Sequence, residues 1–105
     1  MKLKLEVRGL VAEGDPPSTV TLDGASLGRK ITVTAEGTTL TVSFTGKIGS
    51  EITVTIREFR KCQDGEFTVR VWEVNGTDRL ITATHKQEVE NSVSILRITF
   101  STLKE

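Results

Sequence analysis

From Arg29 to Arg57 the chain alternates aliphatic and polar residues in three passes, with glycines near the breaks. Ile31, Val33 and Ala35 share one parity, with Thr32 and Thr34 on the other. Leu40, Val42 and Phe44 interleave with Thr39, Thr41 and Ser43, and Ile52, Val54 and Ile56 with Glu51, Thr53 and Thr55. A period of two places the apolar side chains on one face of a pleated strand and the hydroxyls on the other. The pattern therefore predicts half-buried antiparallel strands, with Ile31, Val33 and Ala35 pointing inward.

The same reading extends in both directions and yields eight strand-like runs. The first is Leu3 to Ala12, whose parity breaks at Gly9-Leu10-Val11 as a β-bulge would. A loop, Glu13-Gly14-Asp15-Pro16-Pro17, separates it from Thr19 to Asp23. A wider connection, Gly24 to Gly28, offers Leu27 as a plug before the alternating pair joined by Glu36-Gly37-Thr38. The fifth run, Glu51 to about Lys61, loses its parity near Glu58-Phe59, a second expected bulge. A turn at Gln63-Asp64-Gly65-Glu66 leads into Phe67, Val69 and Val71, with Trp72 and Val74 on the opposite parity. Asn75-Gly76 has the composition of a type I′ hairpin turn. The seventh run is Leu80 to about Val89, and Asn91-Ser92 turns into the eighth, Val93 to Leu103. No segment has a helical period, and no repeat or linker is visible. The expected fold is all-β: a single antiparallel sandwich domain of about eight strands over residues 1–105, with Greek-key, jelly-roll-like and immunoglobulin-like strand orders all open. Immunoglobulin hallmarks are missing, since there is no cysteine pair and no tyrosine.

Composition supports this picture. Sixteen Thr, eleven Val and seven Ile among 105 residues favour strands over helices. Fourteen basic residues balance fourteen acidic ones, so the basic excess that phosphate-backbone binding needs is missing and nucleic acid is not expected as a partner. No run approaches the ~18 apolar residues of a membrane span, and the start of the chain alternates at once, unlike a signal peptide. A soluble chain is expected, with a cytoplasmic or virion-associated setting the most compatible. Cys62 is the only cysteine, which excludes an intrachain disulfide.

Catalytic equipment is not visible. Cys62 and the sole histidine, His85, could form a thiolate–imidazole pair, but no nucleophile signature accompanies them, and a core cysteine and a rim histidine are the expected roles. Zinc, calcium and blue-copper ligand patterns are absent, as is a glycine-rich phosphate loop, so no metal or cofactor is expected. Asn75-Gly76-Thr77 fits a glycosylation acceptor, although the turn explains the same residues.

Surfaces remain. If the chain reverses at every connection, Glu13, Asp15, Glu36, Asp64, Glu66, Glu88 and Glu90 gather at one end against Lys61 and Lys86. Lys2, Arg29, Lys30, Lys47, Arg79 and Lys104 then gather at the other, against Asp23, Asp78 and Glu105. The candidate partner or ligand surface is therefore Asp15, Glu36, Asp64 and Glu66, together with Trp72 if that ring is displayed on a sheet face. The leading expectation is a non-enzymatic assembly or protein-binding domain, either self-associating or docked on a larger scaffold. The alternatives are a carbohydrate- or calcium-dependent binding module and a designed sandwich with no natural ligand.

Overall fold

The structure, a computed structural model, describes residues 2–13, 19–23, 31–46, 51–62, 66–74 and 79–101. The Gly14-Asp15-Pro16-Pro17 loop, the Gly24–Gly28 connection with Leu27, the Gln63-Asp64-Gly65 turn and the Asn75-Gly76-Thr77 turn lie outside these residues. So do Arg29, Lys30, Lys47, Asp78, Lys104 and Glu105.

Eleven strands lie among the described residues. They are β1 (Lys2–Arg8), β2 (Leu10–Ala12), β3 (Thr19–Asp23), β4 (Thr32–Glu36), β5 (Thr39–Thr45), β6 (Glu51–Arg57), β7 (Phe59–Lys61), β8 (Thr68–Glu73), β9 (Arg79–Ile81), β10 (Ala83–Glu90) and β11 (Val93–Ser101). They form a five-stranded sheet in the order β4-β5-β1-β8-β9 and a four-stranded sheet in the order β10-β11-β6-β3. A third sheet pairs β2 with β7. Every pairing is antiparallel, and the molecule is a β-sandwich.

Three expected runs are each divided in two, and each division has a local cause. Gly9 ends β1 with φ 101°. A Cβ there would lie 2.5 Å from the Glu66 carbonyl oxygen, so only glycine fits. Glu58, at φ 59°, ends β6 in the same way. Both expected bulges are thus points where the chain leaves a main sheet, and the departing strands β2 and β7 pair with each other. Thr82 separates β9, in the five-stranded sheet, from β10, in the four-stranded one. No residue in that run signals the crossing.

The two inner faces meet in one cluster. Leu3, Leu5 and Val7 of β1, with Leu40, Val42 and Phe44 of β5, face Ile52, Val54 and Ile56 of β6, with Leu96, Ile98 and Phe100 of β11. Phe44 and Phe100 approach with ring centroids 6.1 Å apart. Each fully buried aliphatic side chain here contributes roughly 1.5–3 kcal/mol. On the outer face of the four-stranded sheet, Arg97 bonds Glu88, which Lys86 also approaches at 3.3 Å. Ile95 and Thr55 are buried on that face beside Glu88 and Arg97 in the register. Aliphatic stems of long charged side chains supply such cover.

Candidate functional site: the free edge of β4 and the outer face of its sheet

The β4–β5 hairpin sets the geometry of the edge. Glu36 and Thr39 face each other across the two-residue loop Gly37-Thr38. Of these two loop residues only Gly37 has positive φ, at 60°, the pattern of a type II′ turn. In such a hairpin the closing pair exchanges both backbone bonds, and bonded and non-bonded pairs then alternate along the ladder. Thr32, Thr34 and Glu36 therefore bond to β5, while Val33 and Ala35 direct N–H and C=O away from it. The same alternation carries across the sheet, where Gly9 N–H donates to Thr38 C=O at 3.0 Å.

Among the described residues, β4 has no partner on its outer side in the strand order. The residues Ile31 to Ala35 carry no charge and no proline, which are the usual guards of an open edge. The remaining edges differ. β10 carries Lys86, Glu88 and Glu90, β9 is three residues long, and β3, which ends on Asp23 as β4 ends on Glu36, has its apolar Val20 and Leu22 half-buried. Ile31, just before β4, is by contrast 39% exposed and Ala35 on β4 is exposed, although the alternation predicts both to point into the core. Only Val33, the middle of the three, packs against it. The inner face is left incomplete where the sheet stops.

Side chains on the outer face of the five-stranded sheet line up in rows. One row runs Leu80–Trp72–Lys4–Ser43–Thr32 across β9, β8, β1, β5 and β4. Trp72 is half-buried, with the Lys4 ammonium 5.4 Å from its ring centroid, and Leu80 beside it is 62% exposed. A groove of about 340 Å³ opens at the Lys2 end, lined by Lys2, Lys4, Thr32, Ser43, Phe44 and Val74 among others.

Of the acidic set, Glu36 and Glu66 lie at the opposite end of this sheet from Lys2, beside the loop that follows Arg8. Neither has an ion pair among the described residues. Trp72 is level with Lys4 and stands apart from them, four or more residues along the strand, a distance of roughly 13 Å or more at the usual rise. The structure therefore brings Glu36 and Glu66 to one end and separates both from Trp72, while Asp15 and Asp64 lie outside the described residues. Arginines at this end also pair with acidic residues: Arg60 with Glu13 at 3.3 Å, and Arg57 with Glu90 at 3.9 Å. Chain reversal alone places the carboxylates; Arg8, Arg57, Arg60 and Arg97 reach them only through the folded strands.

His85 lies opposite Ile98 on the inner register of β10, yet is exposed because β10 is an edge. Cys62 is half-buried after β7, its N–H donating to Gly9 C=O at 3.0 Å. Among the described residues no hydrogen bond joins the two side chains, and no three His, Cys, Asp or Glu side chains converge to hold a metal ion. No helix among these residues is long and apolar enough to cross a membrane. No protein-family model, curated protein or solved structure matches this chain.

Proposed function

We propose that this chain is a non-enzymatic protein-binding or assembly domain whose contact element is the free edge of β4. The observation that carries the reading is the uncharged stretch Ile31 to Ala35, ahead of Glu36 at the end of β4, in which Ile31 and Ala35 stay exposed. A partner strand laid along this edge would satisfy the outward backbone groups of Val33 and Ala35 and complete the cover over both side chains. Panning a displayed peptide library against the wild type and against Ala35→Lys tests the idea. An inward-pointing lysine blocks strand addition, and at an exposed position it leaves the core intact. The expected result is enrichment of alternating β-branched peptides on the wild type and their loss on the variant. Peptides that bind both proteins equally, or none at all, would remove the reading.

A second reading, carbohydrate binding, draws support from Trp72 beside Ser43 and Thr32 on a sheet face. It is the weaker one, because Lys4 already sits over the ring that a sugar would stack on. Glycan-array signal lost in Trp72→Ala would favour it over the first.

A further inference from the structure

We infer that the strand added to β4 is the β4 of a second copy of this chain, paired antiparallel about a two-fold axis at Val33. This rests on the edge-binding reading above and names its partner.

The edge is complementary to itself. With Val33 opposite the second copy's Val33, Ile31 falls opposite Ala35 and Thr32 opposite Thr34. Val33 and Ala35 direct their backbone groups to the open side, and a strand lengthened by one residue to Ile31 would keep the same alternation. All the residues at hydrogen-bonding positions of the new ladder are therefore those whose N–H and C=O point away from β5. On the outer face, threonine meets threonine, which is a favourable cross-strand pair. On the inner face the large exposed Ile31 sits beside the small exposed Ala35, so each copy covers what the other leaves open.

Charge agrees. No ionised side chain lies between Ile31 and Ala35, so the two-fold brings no like charges together, and the net charge of zero gives no long-range repulsion between copies. Joined in this way, the two five-stranded sheets would run as one continuous sheet of ten strands. Five residues on each side is far fewer than the roughly 20–30 of a standard specific interface, so the dimer is weak and depends on concentration.

Sedimentation over concentrations on the order of 0.01–1 mM tests the association. The wild type is expected to shift from monomer to dimer across this range, and Ala35→Lys to stay monomeric throughout. Register is read in a Cys62→Ser background by mixing Thr32→Cys protein with Thr34→Cys protein under mild oxidation. Those two positions oppose each other in a non-hydrogen-bonded pair, where the Cα atoms come close enough for a disulfide. The mixture should cross-link and either variant alone should not. Cross-linking of Thr34→Cys alone would overturn the stated register. A wild type monomeric at every concentration would overturn the second copy as occupant, while peptides captured by the wild type and lost on Ala35→Lys would keep the edge-binding reading alive. A dimer unaffected by Ala35→Lys would place the contact elsewhere and overturn this pairing, while the peptide result alone decides the edge-binding reading.

Discussion

At the scale of single residues, two glycines show how differently the same residue type can be required. Gly9 sits at φ 101° with the Glu66 carbonyl oxygen where a Cβ would be. Gly37 sits at φ 60° with open space around it. Gly9→Ala therefore meets a backbone atom that cannot rotate away, in addition to an unfavourable dihedral. It is expected to cost about 3 kcal/mol of stability. Gly37→Ala meets only the dihedral cost, about 1–2 kcal/mol. Urea midpoints of the two variants check the order; equal losses would mean that the Glu66 segment moves aside freely. The sequence marks both positions as breaks in parity, because glycine interrupts an alternating run. It does not reveal which of them is crowded, since the crowding atom belongs to a residue 57 positions further along the chain.

At the scale of elements, alternation located the strands well and their ends less well. The parity of β1, β5 and β6 matches the faces they bury. The run Ile31 to Ala35 repeats the same alternation, yet Ile31 and Ala35, two of its three expected inward residues, are exposed. Periodicity assigns a side chain to a face, but only strand order says whether another sheet covers that face. The crossing at Thr82 was hidden for a related reason, because a strand can continue its parity while changing its partner. Turn chemistry was more legible. Asn91 and Ser92 both have positive φ, 51° and 66°, between the paired residues Glu90 and Val93, as a type I′ turn demands. Asparagine tolerates that conformation, whereas serine is strained in it. Ser92→Gly is accordingly expected to stabilise the protein by about 0.5–1 kcal/mol, the relief of strain exceeding the added flexibility of the unfolded chain. A melting temperature that fell instead would show that the Ser92 side chain holds a contact worth more than the strain.

At the scale of the whole molecule, the connections between distant segments decide both what the sequence could tell and how the protein folds. β1 occupies the centre of the five-stranded sheet, with Lys4 opposite Ser43 on one side and Trp72 on the other. The cation–π contact of Lys4 with Trp72, the row of side chains it belongs to and the edge status of β4 all follow from this order. Nothing local to β1 specifies these partners, so the candidate surface became visible only with the fold. Chain reversal places Glu36 and Glu66 at one end of the sheet, but the pairing of Arg60 with Glu13 and of Arg57 with Glu90 was not legible, because it depends on which side chains meet across strands. The same topology constrains kinetics. The centre of the sheet forms only after loops of about 30 and about 60 residues have closed, and closure entropy must be met before these contacts stabilise anything. Refolding is therefore expected on the millisecond-to-second scale of non-local β proteins. Trp72, the single tryptophan, reports it directly by stopped-flow fluorescence, since its environment is set by pairing with both ends of the chain's order, β1 before it and β9 after. Lys4→Ala removes the cation over the ring without disturbing the buried face, so it should change the amplitude of the signal and leave the rate nearly unchanged. Refolding complete within microseconds would mean that Trp72 reaches its final surroundings through the local β8–β9 hairpin alone, before β1 has docked.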